Sequence, residues 1–313
     1  MRRVRLQCAI ATLCGLGIAA GSAAAAPPAT QPASLTFFGW ADQHIKTDGS
    51  GEHCHASIDA MNTLPGTAYP PTIGGTVATP AFVFGCGDIT EWPTHAAMRT
   101  YDRLVTRRLK FPAYDVMGNH DEGGKVPSQT IAKWLIARHG ALSYTFARQG
   151  VHFIIVHSKY DANLGSPAQP ITEEALTFIR AELGKLSAGA PAVVATHLCF
   201  DAITNRDAVV KAFGEANVIL VLGGHYHKPV VHRYRGFHFV QLPSPKPVRG
   251  APNAVTVIRI EPKRLVAVPY DCTRKAWVDD PRKILDVAIK GPSAAHLRAP
   301  TPTTRPARPA AAG

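Results

Sequence analysis

Seven side chains in five short segments have the types and spacing to hold metal ions. They are Asp42 and His44 in Asp42-Gln43-His44, Asp88 in Gly87-Asp88, Asn119 in Gly118-Asn119-His120-Asp121, His197, and His225 and His227 in Gly224-His225-Tyr226-His227. Two carboxylates, one amide oxygen and four imidazoles make a donor set suited to divalent first-row metals. A pair of such ions acidifies water and gathers positive charge where a phosphoryl group reacts, so the chemistry in view is the attack on a phosphate ester. Two carboxylates and a hydroxide against two 2+ ions leave a charge of about +1, which a third carboxylate would cancel and the neutral Asn119 preserves. His120 falls outside the ligand set and can give a proton to the departing oxygen.

Residues scattered from 42 to 227 meet only if the fold gathers them. Apolar runs rich in Val, Ile and Phe predict strands at 35–41, 81–86, 112–117, 151–157, 192–196 and 217–222, alternating with helices at 52–63, 93–110, 128–139 and 172–187. Thr172 reads as the cap of the last helix. Asp42, Asp88, Asn119, His197 and His225 each follow a predicted strand, where ligand sites of open α/β sheets gather. After His227, short strands at 229–234, 237–242, 254–260 and 264–269 read as an antiparallel sheet. The expected fold is α/β, a four-layer α/β/β/α sandwich of two mixed sheets.

Asp-x-His alone is common by chance, whereas Gly-Asn-His and Gly-His-x-His are rare, and all of them occur in order at strand ends. The series resembles that of the calcineurin-like metallophosphoesterase superfamily. The resemblance implies a first ion held by Asp42, His44, Asp88 and His227, a second by Asp88, Asn119, His197 and His225, with Asp88 bridging and His120 catalytic beside them. It implies two divalent or mixed-valence ions (Mn, Fe or Zn), a metal-bridging hydroxide as nucleophile, and a small phosphoester as substrate. Asp88 is followed by Ile89-Thr90-Glu91-Trp92, without the arginine of the Ser/Thr protein phosphatases or the tyrosine of purple acid phosphatases. The Asn-His-Asp ending is more like the group of class III phosphodiesterases, which slightly favours a diesterase over a phosphomonoesterase or nucleotidase. A non-catalytic, anion-binding exported protein is the reading from a different class.

Around the ligands, Glu91 can pair with His120, and Asp121 either orients its neighbourhood or is an exposed turn acid. His53 and His55 read as solvent-facing residues of a helix start, His157 as a core histidine bonded to backbone, and Lys246, in the turn Ser244-Pro245-Lys246-Pro247, as a solvated lysine.

The chain has 313 residues, 46% of them hydrophobic, enough for a sizeable core. Residues 1–26, with Arg2, Arg3 and Arg5 before an Ala-rich apolar stretch, read as a signal peptide, with an uncleaved anchor as the alternative. Residues 27–34 read as a linker, 35–272 as the metallophosphoesterase domain, 273–290 as a C-terminal extension and 291–313 as a disordered Pro/Ala-rich tail. The expected location is periplasmic or extracellular. Of the formal charge of +12, six arginines lie in the first and last of these segments, which leaves +6 for the region between. That surplus suits anionic substrates and carries no nucleic-acid signature, so no stable nucleic-acid or membrane partner is expected. Cys54, Cys86, Cys199 and Cys272 would face an oxidising compartment, and buried thiols and disulfides both remain open.

Overall fold

The computed structural model describes residues 34–246, 248 and 250–289. The expected signal peptide, nearly all of the expected linker and the expected tail lie outside the described residues. In chain order the strands begin with β1 (Leu35–Trp40), β2 (Val83–Gly85), β3 (Ala113–Asp115), β4 (Tyr144–Arg148) and β5 (Val151–Ile155). Then follow β6 (Ala192–Ala195), β7 (Val218–Gly223), β8 (Val230–Tyr234), β9 (Phe237–Gln241), β10 (Ala254–Glu261), β11 (Arg264–Asp271), β12 (Ala276–Trp277) and β13 (Leu285–Ala288). The helices are α1 (His55–Thr63), α2 (His95–Arg103), α3 (Thr130–His139), α4 (Glu173–Gly184) and α5 (Arg206–Phe213).

One sheet runs β12-β11-β10-β1-β2-β3, with β13 also on β11; the other runs β4-β5-β6-β7-β9-β8. Both are mixed: β1, β2 and β3 are parallel while β10 is antiparallel to β1, and β5, β6, β7 and β9 are parallel while β4 and β8 are antiparallel edges. Alternation along each strand builds the layers. In β1, Leu35 and Phe37 enter a core between the sheets with Phe84, Phe153 and Leu220, while Phe38 and Trp40 face α1, α2 and α3. In β6, Val193 and Ala195 face the inter-sheet core, while Ala192 and Val194 pack under α4 and α5. The four-layer expectation holds.

The expected single antiparallel sheet after His227 does not. The β8–β9 hairpin joins the second sheet through β7, and the β10–β11 hairpin joins the first through β1. Residues 276–277 and 285–288, in the segment read as an extension, pair with β11. The long second helix ends early, because α2 passes into a π-helical turn over Leu104–Arg108. Strands β4, β12 and β13 and helix α5 fall outside the predicted elements. Cys54, Cys86, Cys199 and Cys272 are buried free thiols. Among the described residues no helix is long and apolar enough to cross a membrane.

Candidate metal centre

The carboxyl ends of β1, β2, β3, β6 and β7 deliver the seven candidate ligands. The ladder between β1 and β2 runs on past both strands: Asp42 N–H donates to the Gly87 carbonyl at 2.8 Å and His44 N–H to the Asp88 carbonyl at 2.9 Å. The loops after β6 and β7 are tied likewise, Gly224 N–H to His197 O at 2.8 Å. Eight non-glycine residues among those described have positive φ, and five are Asp42 (56°), His44 (44°), Asp88 (53°), His225 (74°) and His227 (62°). Left-handed backbone costs on the order of 1–3 kcal/mol per residue and clusters where a site demands an orientation. Gly118 permits the closest approach, since a Cβ there would lie 2.1 Å from Asp88 N.

The ligand atoms converge in groups. Asp42, His44 and His227 can hold one metal ion, and so can Asp88, His197 and His225. His44 Nε2 and His227 Nε2 are 3.2 Å apart, and His227 Nε2 is 3.7 Å from Asp42 Oδ1. Asp88 turns Oδ2 toward both groups, 3.7 Å from His44 Nε2 and 3.3 Å from His197 Nε2. Its Oδ1 accepts the backbone N–H of His120 at 2.9 Å. Asn119 Oδ1 stands 2.9 Å from His197 Nε2 and 3.0 Å from His225 Nδ1. A third group joins His120 to His44 and Asp88.

The proton positions favour a cation. The carbonyls of Cys86, 2.7 Å from His197 Nδ1, and of Pro167, 2.9 Å from His225 Nε2, can only accept, so those nitrogens carry the ring protons. The neutral His225 ring then aims a bare Nδ1 lone pair at Asn119 Oδ1 and at His197 Nε2. Acceptors gathered in this way call for a positive charge at their centre, which a second proton on His197 or a metal ion supplies. Burial works against charge on His197, yet the Asp88 carboxylate pushes its pKa up to about 10. Burial lowers His44 to about 3 and His225 and His227 to about 4, which leaves neutral imidazoles fit for ligation. Burial would raise Asp88, but His197, His44 and His120 hold it below the usual carboxylate range. The residues fit a metal pair.

Other expectations are corrected here. Asp121 is no exposed turn acid: it is fully buried and accepts from the N–H groups of Ile89 (3.1 Å), Thr90 (2.9 Å) and Gly118 (2.9 Å) and from the Thr90 hydroxyl (3.0 Å). It thereby clamps the Asp88 loop to the Asn119 loop. His120 Nδ1 meets the backbone carbonyl of Glu91 at 2.8 Å, not its carboxylate, which instead lies 3.5 Å from Lys246 Nζ. Lys246 is therefore no isolated solvated lysine; its charge helps depress His44 and His227. His53 is half-buried, with Nε2 2.6 Å from the Gln43 carbonyl, rather than turned to solvent. His157 turns its ring toward Glu122 at 3.8 Å, not toward backbone.

No protein-family model matches the sequence. No curated protein matches it either. Solved structures do. A dimetal phosphatase from Danio rerio superposes with a TM-score of 0.57 at 14% identity, covering 83% of this chain and 100% of its own. GAP50, the anchor in the inner membrane complex of Plasmodium, superposes at 0.54 and 14%, covering 82% of this chain and 90% of its own. The chain has the calcineurin-like metallophosphoesterase fold. Sequence reading missed several parts of this candidate centre. The Cys86 and Pro167 carbonyls act through backbone, which side-chain identity does not reveal. Ser244, whose hydroxyl donates to the Asp42 carbonyl at 2.7 Å, is 202 positions from its partner. Trp92, 4.9 Å from His120 between ring centres, carries no motif.

Proposed function

We propose that this chain is an exported, dinuclear metal-dependent phosphoric-ester hydrolase acting on small phosphoesters, diesters in preference to monoesters. The same fold serves an anchor as well as a dimetal phosphatase, so the ligand set carries the reading. The supporting observation is the pair of triads, Asp42–His44–His227 and Asp88–His197–His225, with Asp88 Oδ2 within 3.7 Å of a histidine from each. Asp42, His44, Asp88 and His227 would hold one ion, and Asp88, Asn119, His197 and His225 the other. When bound, such ions supply Lewis-acid charge to phosphoryl oxygens and make water acidic.

The chain's own residues do the remaining work. Hydrolysis places a water oxygen on phosphorus, and the departing oxygen leaves with the bonding electrons. His120 is placed to give that oxygen a proton: the Glu91 carbonyl fixes its Nδ1–H, so Nε2 is presented for the transfer. The Cys86 and Pro167 carbonyls orient His197 and His225, and Asp121 holds the two loops in register. Carboxylate, amide and imidazole donors without a thiolate suit Mn, Fe or Zn. Lys246 has its charge offset by Glu91 3.5 Å away, an arrangement better matched to the single charge of a diester than to a monoester dianion. Export rests on the basic, Ala-rich N-terminal sequence.

The test is turnover of p-nitrophenyl phosphate, its bis ester and cyclic nucleotides by protein reconstituted with Mn, Fe or Zn. Turnover of the bis ester above the monoester, abolished by chelator and restored by metal, is the expected outcome. Higher monoester turnover would make the protein a phosphomonoesterase; no turnover on any ester would leave a non-catalytic anion binder.

A further inference from the structure

Beside the candidate centre lies a cavity of about 760 Å³ that opens from Asn119 and is walled by Trp92, Pro93, Val126, Pro127 and Tyr160. Trp92 is 45% and Val126 79% exposed, and both are among the four large hydrophobic side chains left exposed in the described residues. Apolar surface kept open to water at the rim of a reactive site marks a place for ligand rather than core. The rings that bound it each lean on a site imidazole: Trp92 on His120 at 4.9 Å, and Tyr160 on His225 at 6.3 Å between centres. Trp92 also packs against Gly124, where a Cβ would come within 2.9 Å of the indole.

The wall's hydroxyls are already engaged. Tyr160 Oη donates to the Ser166 carbonyl at 2.9 Å, Thr94 Oγ1 donates to the Thr47 carbonyl at 2.7 Å, and Ser128 Oγ bonds Thr130 Oγ1 at 3.2 Å. Lys125 is the wall's one charged side chain, and apart from it a sugar or polyol would find most of its donors and acceptors unanswered, at a cost. Two aromatic faces and two proline rings instead offer flat, apolar contact.

We propose that this cavity receives the organic group of the phosphoester, and that the group is a flat aromatic ring system. The proposal rests on the phosphoesterase reading above. Binding of non-hydrolysable phosphonates to metal-reconstituted protein, followed by calorimetry, tests it without turnover. Naphthylmethylphosphonate is expected to bind about 10-fold or more tighter than methylphosphonate, with octylphosphonate weaker than naphthylmethyl. Trp92→Ala should bring the naphthylmethyl-to-methyl ratio close to one, and Val126→Ser, on an exposed loop, should lower it in part. Should methylphosphonate bind while the naphthyl group adds nothing, or should Trp92→Ala leave the ratio intact, the cavity assignment fails and the phosphoesterase reading stands. Octylphosphonate binding as tightly as the naphthyl compound would overturn the aromatic assignment. If no phosphonate binds, the phosphoesterase reading falls, and this proposal with it.

Discussion

Asp88→Asn is expected to lower turnover on the order of 10³-fold or more and to strip the protein of at least one ion per chain during gel filtration. The reason is position. Asp88 is the carboxylate that faces both triads, and Oδ2 stands 3.3 Å from His197 and 3.7 Å from His44. An amide there removes the negative charge common to both triads. The substitution is otherwise mild. Asn tolerates the left-handed φ of 53° better than most residues, and the backbone bond from His44 N–H to the carbonyl at 88 is untouched. The metal-free variant should still unfold cooperatively, at a midpoint lowered by loss of the 3.3 Å Asp88–His197 pair. Loss of activity with full metal content, or a collapse of the metal-free fold, would show that Asp88 acts otherwise.

His120→Ala is expected to keep both ions and to slow hydrolysis unevenly. A proton donor matters most when the departing oxygen is strongly basic, so alkyl esters should lose on the order of 10²–10⁴-fold and p-nitrophenyl esters much less. A plot of log kcat against leaving-group pKa should steepen in the variant. The geometry behind this is the 2.8 Å contact from Nδ1 to the Glu91 carbonyl, which leaves Nε2 for the reaction. The same residue forms a third potential metal group with His44 and Asp88. Metal content separates the roles: equal loss on all esters with an ion missing would make His120 a ligand.

What could be read from the residues divides along a physical line. Strand ends were legible because β-branched apolar runs stop where Asp42, Asp88, Asn119, His197 and His225 begin. The donor types were legible because metal chemistry restricts them. Partner choice was not. The hairpins β8–β9 and β10–β11 have the same local pattern whichever sheet they join, and only the long-range backbone pairing of β9 with β7 and of β10 with β1 assigns them. Strand β4 escaped because it is a short edge strand: Thr145, Ala147 and Arg148 are exposed, while Tyr144 and Phe146 are only half-buried against the core. Asp121 and Glu91 show a different limit. Both are expected beside the centre, but whether side chain or main chain makes each contact depends on loop geometry. The aromatic wall of Trp92 and Tyr160 joins positions 68 residues apart, and neither carries a motif.

The central claim, that one chain binds two cations to do its chemistry, is tested most directly by metal titration of stripped protein with rate and bound metal measured on the same samples. Activity should rise with added Mn, Fe or Zn and level off at two ions bound per chain. A full rate at one ion or none, or a second ion that never binds at saturation, would contradict it.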